Sequence, residues 1–491
     1  MDFTNIAVLK PYVPIFDHQR VRVLTLLQEF EYDASSVESD DGITVITPPS
    51  GVGRWLRDLA PVPTWTAKDV WYQDSVTGDD EYAGTAARPV RTLREITRRL
   101  RRVDARVYKI ILLSDVLPTD SVRFAPELSA EGNGFTNPQI VASILISGEL
   151  AVKVDSSGIL GAATTNTNAS ANTQATVQGP TPWASKVGRL LRVTDAAGKV
   201  AQAVVLKEIA SGVARVSEWV DPAKGTPALT IPVPGDTYQI MSLPTFAAPI
   251  LYAGLTSKVS LEFQEVLVSS ARVIPSACTT LFTSCVFTVA LVGPPTGFPF
   301  DCFIRACAVY FATPTDFSQT GLGNGPRYTG CGLVNARIQI STYGRTTTSN
   351  TVMQGGHIRV IDKSKVFGGL LVATDKLGIF GSAESAVVLR RGMVMQVQEN
   401  AQLYGAENAL FGVEVMEGAS LVVHDTVNPK ITGAKGDVQL EQAKKAIPEL
   451  VENALVPAAK ELRLWTAHWI TGFARNVVSY KTGARIISVK G

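Results

Sequence analysis

Cysteine is scarce in this sequence, and its placement excludes two common uses. All five cysteines fall between Cys278 and Cys331. An odd number of cysteines in one stretch does not build a disulfide framework, and no two of them have the CxxC spacing of zinc sites. We expect these side chains to act as small buried apolar groups, in a protein that folds in a reducing compartment such as the bacterial cytosol.

Charge is scarce as well. Charged residues make up 18% of the chain and the formal net charge is +2, so no binding to nucleic acid or to an anionic membrane is expected. No run of 18 apolar residues occurs, which argues against membrane insertion through a helix. The first 20 residues lack the basic start and apolar core of a secretory signal peptide. The GxSxG, HExxH and phosphate-loop motifs are also absent, and neither a metal nor a cofactor is predicted.

Turn-forming and β-forming residues dominate what is present. The 491 residues include 40 glycines and 27 prolines, together with many valines, isoleucines, threonines and serines, which is the composition of a turn-rich β-protein. A chain of this length predicts more than one domain. Changes in pattern along the chain divide it into the segments 1–66, 67–149, 150–245, 246–440 and 441–491.

Three of these segments have distinct patterns. In 67–149 a strand, a loop, a helix capped by Thr92 and a second strand follow one another. The arginines of that helix form a solvated face or a subunit contact, or alternatively a polyanion site. Short strands with regular turns in 150–245 predict a small inserted antiparallel barrel or sandwich. The segment 441–491 reads as a helix followed by a β-hairpin, and its apolar part either contacts another subunit or folds back as a cap.

The segment 246–440 has the most informative pattern, a recurrence of short β runs with glycine and asparagine between them. Leu281-x-x-Ser284-Cys-Val-Phe is matched about two dozen residues later by Phe303-x-x-Ala306-Cys-Ala-Val, and this is the length of one solenoid coil. One coil cannot bury its apolar inner face alone, whereas stacked coils share a continuous core. We therefore predict a mainly β fold in which 246–440 forms the coils of a parallel β-helix.

Short motifs near both ends of the chain resemble those of tailed-bacteriophage tail spikes. The runs 41–46 (DGITVI) and 53–57 (GRWLR) resemble a segment common near the N-terminus of those proteins. Residues 71–93, from Trp-Tyr to Pro-Val-Arg-Thr-Leu, resemble the opening of pectate-lyase-like β-helices, although Val90 stands where an aromatic residue is usual. Residues 427–438 resemble the final coil of such phage proteins.

The resemblance to tail spike and tail fibre proteins implies both a fold and a role. It implies a right-handed parallel β-helix, entered through a capping helix, in a homotrimer of tubes packed side by side. It also implies a virion protein that is made in the host cytoplasm. Residues 1–66 would attach to other tail or baseplate proteins, and the rod would meet a glycan or protein receptor on the host surface.

Enzymatic activity has to be weighed, because many relatives on this scaffold cleave polysaccharides. Glycan hydrolysis needs two carboxylates about 5–10 Å apart, and acidic residues are sparse between 246 and 440, where none of the seven tryptophans falls. The weak candidates for a catalytic pair are Asp362, Glu384, Glu407 and Glu414. We therefore predict a non-enzymatic structural protein that attaches a particle to a host. The alternatives are a polysaccharide depolymerase on the same scaffold and a bacterial surface adhesin.

Overall fold

The computed structural model divides the chain into two units, residues 1–68 and 69–491, and both are built mainly from β-strands. The residues that the structure describes are 2–3, 9, 11–14, 20–23, 28–34, 45–52, 54–57, 70–99, 107–120, 122–124, 142–161, 165–166, 173–176, 183–248, 250–252, 259–269, 279–292, 302–320, 323–340, 344–360, 369–390, 394–398, 401–415, 419–424, 430–440 and 485–489.

A five-stranded sheet forms the described part of the first unit. The first two strands pair in parallel and the other pairings are antiparallel. The strand bounds are Asp2–Phe3, Arg20–Val23, Gln28–Asp33, Val45–Ile46 and Arg54–Arg57. The fully buried Trp55 contacts the rings of Tyr12 and Tyr32, whose centroids lie 6.0 and 5.3 Å from its own. This unit therefore has an apolar core of its own.

The second unit is a parallel β-helix, which confirms the predicted fold class. Most strands of its coils join one 24-stranded sheet, and the chain returns to the same position once per coil. Leu281 pairs in parallel with Phe303, so the repeat seen in the sequence corresponds to one coil. Strands from successive coils stack into three ladders, named here ladder 1, ladder 2 and ladder 3 in the order in which the chain visits them.

The strands of the three ladders have the following bounds. Ladder 1 contains Val70–Gln73, Val107–Leu112, Ala142–Ser147, Val259–Gln264, Thr279–Thr283, Cys302–Arg305, Gly323–Thr329, the first halves of Gly344–Gln354 and Leu370–Phe380, Val394–Val397, Ser420–His424 and Arg485–Val489. Ladder 2 contains Thr245–Phe246, Leu267–Val268, Val286–Phe287, the starts of Ala308–Thr320 and Gly332–Ile340, the second halves of Gly344–Gln354 and Leu370–Phe380, Gln402–Asn408 and Lys430–Gly433. Ladder 3 contains Leu291–Val292, the ends of Ala308–Thr320 and Gly332–Ile340, His357–Val360, Val387–Leu389, Phe411–Val415 and Gly436–Leu440.

Two further short strands and the last strand complete the described coils. Val122–Phe124 pairs in parallel with Ile250–Tyr252. Arg485–Val489 pairs in parallel with Ser420–His424. The predicted C-terminal helix and the other strand of the predicted hairpin lie outside the described residues.

Single residues with positive φ turn the chain from one ladder to the next. Between ladders 1 and 2 these residues are Glu265, Ser284, Ala306, Gly330, Asn350 and Asp375. Between ladders 2 and 3 they are Asn335, Gly355, Gly381 and Glu407. One left-handed residue redirects the chain sharply while the strands on both sides stay extended, but this conformation costs a residue with a side chain about 1–2 kcal/mol. The fold must therefore hold each corner in place.

Aromatic rings stack inside the coils. Phe263 and Phe282 are register partners on successive coils, and their rings stack with centroids 5.1 Å apart. The same inward column continues through Ile304 to Tyr328, whose hydroxyl lies 2.7 Å from that of Ser318. A fully buried phenylalanine contributes about 1.5–3 kcal/mol, so this column stabilises the coils across several turns of the chain.

Thiols occupy the inner side of the corners between ladders 1 and 2. Cys285, Cys307 and Cys331 each follow a corner residue, and the backbone nitrogen of Cys285 donates to Sγ of Cys307 at 3.2 Å. The described cysteines are free and buried, which confirms the expectation for them; Cys278 lies outside the described residues. Burial raises the pKa of Cys331 to about 12 and raises that of Cys307 as well.

One α-helix, Leu93–Arg99, follows the first described strand of the second unit. The hydroxyl of Thr92 accepts a hydrogen bond from the backbone nitrogen of Glu95 at 3.2 Å, which confirms the predicted N-cap. The carboxylate of Asp120 accepts further bonds from the backbone nitrogens of Leu93 and Arg94. In the part of the chain that the structure describes, no helix has both the length and the apolar character needed to cross a membrane.

A seven-stranded antiparallel sheet is inserted between Ser147 of ladder 1 and Thr245 of ladder 2. Its strands are Lys153–Ile159, Thr165–Asn166, Thr173–Thr176, Leu190–Thr194, Val200–Ala210, Val213–Val216 and Thr237–Ser242, with a 3-10 helix at Trp183–Lys186. Its core contains Trp183 and Trp219. The insertion therefore leaves the coils at one corner and returns to the same coil with a core of its own.

The insertion packs along the outer face of ladder 2. Leu190, Val204 and Leu206 of the insertion share an apolar cluster with ladder 2 side chains from successive coils. The ladder 2 members of this cluster are Val286, Ala308, Val334, Val352, Phe380 and Tyr404. Because this cluster spans several coils, the insertion covers ladder 2 and ties those coils together.

Polar contacts fix the insertion to the corner residues. The side chain of Gln202 donates to the backbone oxygen of Ala306 at 2.7 Å and to Oγ of Ser284 at 3.1 Å. Arg192 forms an ion pair with Glu265. Each contact is made to a corner with positive φ, so the insertion holds the strained corners.

Arg215 makes the most extensive of these contacts. Its Nη2 donates to Oε1 of Glu407 at 2.7 Å, its Nη1 donates to Oε1 of Gln354 at 2.8 Å, and its guanidinium carbon lies 4.5 Å from the centroid of the Phe380 ring. Nζ of Lys207 lies 3.4 Å from the same Glu407 carboxylate but is half-exposed. The hydrogen bond from Arg215 holds the pKa of Glu407 below its ordinary value.

We expect the described cysteines to resist alkylation in the native protein, because their thiols are buried and the reagent cannot reach them. The measurement is labelling with N-ethylmaleimide, followed by mass spectrometry of the cysteine peptides. Cys285, Cys302, Cys307 and Cys331 should react only after unfolding in guanidinium chloride. Rapid labelling of Cys307 in the native protein would contradict the stacked arrangement.

We expect Arg215→Met to destabilise the protein by about 2 kcal/mol, because it removes charge-assisted hydrogen bonds from a largely buried site. The matched control is Lys207→Met, which removes an exposed charge beside the same Glu407 and should cost about 0.5 kcal/mol or less. The measurement is urea unfolding followed by tryptophan fluorescence, to which Trp183 and Trp219 of the insertion contribute together with the other tryptophans of the chain. Equal losses in the two variants would show that Arg215 does not hold the insertion.

The same contact has a pH dependence with a definite sign. Because the pKa of Glu407 is lowered from 4.5 in the folded chain, its ion pair stabilises the fold fully above about pH 4.5 and this stabilisation is lost as the pH falls through the folded pKa. Arg215→Met should therefore flatten the acid limb of the stability curve, and Lys207→Met should leave it nearly unchanged.

Candidate functional site

The outer side of ladder 3 carries a row of polar and charged side chains. In the strand Gly332–Ile340, alternate residues point into the core and out of it, as the period of a β-strand requires. Parallel register then aligns the outward residues of successive coils. Asp316, Arg337 and His357 form one such column. Gln339, Arg359, Val388 and Glu414 form the next. We call these two columns and their polar neighbours the ladder 3 face.

Arginines occupy the middle of the ladder 3 face and carboxylates its two ends. Arg359 forms an ion pair with Glu384 through Nη2. Nη1 of Arg337 lies 3.8 Å from Oδ1 of Asp316, where both groups are partly exposed. The Nε atoms of both arginines are buried and have no hydrogen-bond partner within the described ranges. Because these Nε atoms are buried, only the terminal nitrogens of each guanidinium can reach a ligand.

His357 lies between the two arginines and is only 4% exposed. Burial, together with the positive charges of Arg359 and Arg337, lowers the pKa of His357 to about 4. Burial and the nearby Arg390 and Arg337 also lower the pKa of Arg359. The imidazole is therefore neutral at neutral pH and has one nitrogen that donates and one that accepts.

Glu384 and Glu414 lie close together on successive coils. Ser385, which follows Glu384 in the chain, donates its hydroxyl to Oε2 of Glu414 at 2.9 Å. The backbone nitrogen of Glu384 bonds to Oγ of Ser382 at 3.2 Å. The ladder 3 face thus contains two of the candidate residues taken from the sequence, and both already have protein partners.

The other two candidates are placed differently. Glu407 occupies the corner between ladders 2 and 3, where Arg215 and Lys207 of the insertion contact its carboxylate. Asp362 lies outside the described residues. The structure therefore brings together Glu384 and Glu414 and keeps Glu407 in the contact with the insertion.

The ladder 3 face offers hydrogen-bond donors and acceptors at the spacing of stacked strands, about 4.8 Å. Guanidinium and imidazole groups, carboxylates and hydroxyls of this kind can bind a chain of hydroxyl-bearing sugar rings. Among the residues that the structure describes, no group of three or more histidine, cysteine or acidic side chains is arranged to hold a metal ion. The chemistry that this face supports is polar recognition.

Sequence reasoning did not select Arg337, His357 or Arg359. Each lies on a different coil or at a different strand position, and only the parallel register makes them neighbours. The available signal was the alternation Arg337-x-Gln339 and His357-x-Arg359, two polar outward positions on successive strands of ladder 3.

Comparison with known proteins adds little to this picture. No protein-family model matches the chain, and no curated protein matches it. Among solved structures, the chain is similar to the Gp54 tailspike of the Acinetobacter baumannii bacteriophage AP22, solved in complex with a capsular saccharide of A. baumannii. The sequence identity is 10% and the TM-score is 0.17, over 68% of this chain. The match spans 64% of that tailspike chain, less than two thirds of its length.

Proposed function

We propose that this chain is a tail spike-like or tail fibre-like protein of a tailed bacteriophage that binds a glycan on the host surface without cleaving it. In this proposal the chain assembles as a homotrimer on the virion. Residues 1–66 attach it to neighbouring tail or baseplate proteins, and the ladder 3 face binds the glycan.

The observation that carries the proposal is a parallel β-helix with one ladder covered and another polar. The insertion packs over ladder 2, while the ladder 3 face presents Arg337 and Arg359 on successive coils and Glu414 two coils after Arg359. A polar row that extends over several coils suits an extended ligand such as a polysaccharide, because successive sugars can contact side chains from different coils. The sequence motifs at 41–57 and 71–93 support the assignment to the tail spike group.

Two features favour binding over cleavage. Glu384 is engaged by Arg359 and Glu414 by Ser385, whereas hydrolysis needs one carboxyl group that can donate a proton and a second that attacks or activates water. The alternative is a depolymerase in which Glu384 and Glu414 are the two catalytic carboxyl groups. The observation that favours this alternative is their position on successive coils.

We expect the purified full chain to have the mass of a trimer of 52.5 kDa subunits by light scattering and to bind at least one polysaccharide in a panel of bacterial capsules and lipopolysaccharides. No reducing ends should be released. Glu384→Gln and Glu414→Gln should each weaken this binding about threefold to tenfold, because each removes a charged hydrogen-bond acceptor.

The control is Glu149→Gln, which breaks a comparable ion pair with Lys109 on an early coil and should leave glycan binding unchanged. Release of oligosaccharides that stops in Glu384→Gln or Glu414→Gln would establish the depolymerase instead. A stable monomer would contradict the proposed assembly.

A further inference from the structure

A second group of charged side chains lies on the outer side of ladder 1, around Phe303. Parallel register aligns Glu262, Leu281, Phe303 and Arg327 in one outward column on successive coils. Arg305 follows Phe303 by two positions on the same strand and therefore points to the same side. This group lies on a ladder other than the one that carries the polar face described above.

Both arginines contact the same aromatic ring. The guanidinium carbon of Arg327 lies 4.8 Å from the centroid of the Phe303 ring, and that of Arg305 lies 5.5 Å from it. A cation over an aromatic ring is held by electrostatic attraction. Because all three side chains are half-buried, the ring limits the freedom of both guanidinium groups and keeps them side by side.

Arg305 differs from three other arginines of this fold, which form ion pairs. Arg192, Arg215 and Arg359 each form an ion pair with a glutamate. Arg305 has no carboxylate within ion-pair distance among the described residues. Glu262, two coils away, has its pKa raised by burial, and Arg305 acts on it only through the longer-range charge interaction that opposes this rise.

A pair of guanidinium groups held in place beside an aromatic ring matches a specific chemistry. Arginine presents its donors in a planar fork that fits the two oxygens of a carboxylate or of a phosphate. Holding the fork before binding reduces the loss of side-chain freedom on binding. Thr329 flanks Arg305 on the next coil, and its hydroxyl adds a donor at the same place.

We propose that Phe303, Arg305 and Arg327 form a binding site for the oxyanion groups, carboxylate or phosphate, of an acidic cell-surface glycopolymer. The guanidinium of Arg305 binds the oxyanion, Arg327 adds positive charge beside it, and Phe303 positions both side chains. The site does not depend on the ladder 3 face, nor on whether the protein belongs to a virion, because it stands on the geometry of ladder 1 alone.

The test is biolayer interferometry of the full chain on three immobilised polymers. Polygalacturonate carries carboxylates, a poly(glycerol phosphate) teichoic acid carries phosphates, and dextran is neutral. We expect binding to one or both acidic polymers and none to dextran. Arg305→Gln should weaken binding to the acidic polymers about tenfold, because one charge-assisted contact is lost.

Arg345→Gln is the matched control, because Arg345 is an exposed arginine on the same ladder, in register with Asn324 and Leu370. This substitution removes the same charge but no contact with Phe303. The variant should bind the acidic polymers as the wild type does. Phe303→Leu keeps both arginines and should weaken binding severalfold if the ring positions them. Each variant is first checked for an unchanged thermal midpoint and oligomeric mass.

Binding to the carboxylate polymer, the phosphate polymer or both supports the site and identifies its ligand. Absence of binding to both acidic polymers would overturn it. An equal loss in Arg305→Gln and Arg345→Gln would also overturn it, because the attraction would then be a diffuse effect of surface charge. The effect of Glu384→Gln on glycan binding at the ladder 3 face tests only the proposed function. The proposed function and the oxyanion site can therefore fail separately.

Discussion

Main-chain hydrogen bonding between successive coils is the constraint on which the rest of the second unit depends. A strand in a parallel ladder satisfies its N–H and C=O groups only through the strands before and after it. Each coil must therefore return to the same three directions, whatever the length of the chain between them. This return requires corner residues with positive φ, such as Ser284 and Asn335, and their left-handed conformation has a cost in free energy.

The insertion gives those corners support from outside. It leaves the coils at the corner after Ser147 and lies along ladder 2. Its polar side chains therefore contact the corner residues of several coils. Gln202 contacts the corners of two coils, and Arg215 joins two coils further along. One folded segment thus stabilises coils that are far apart in the sequence, and the faces of ladders 1 and 3 that it does not cover carry the candidate binding groups.

The arginines show how one side chain takes different roles on one scaffold. Arg215 is buried and both of its Nη atoms donate to Gln354 and Glu407, so it acts in the packing of the insertion. Arg337 and Arg359 form ion pairs with carboxylates and remain partly exposed. Arg305 lies over an aromatic ring and has no ion-pair partner among the described residues. Burial and the nearest carboxylate decide which arginine is structural and which is available to a ligand.

The sequence by itself determined the class of fold, because the signals for it are local. Alternation of apolar residues, the match between the runs at Leu281 and Phe303, and the helix cap at Thr92 each depend on a few neighbouring positions. It also supplied Glu384 and Glu414 as candidates, since acidic residues are few in the coils.

Only the tertiary structure decided which residues meet. The corners between ladders 1 and 2 fall at irregular intervals along the chain, because loops of different length join strands whose register is set by hydrogen bonds and core packing. A position in the sequence therefore does not give its ladder or its column. For this reason Asp316, Arg337 and His357 become neighbours, and Glu407, a candidate for catalysis in the sequence, is held by an arginine of the insertion.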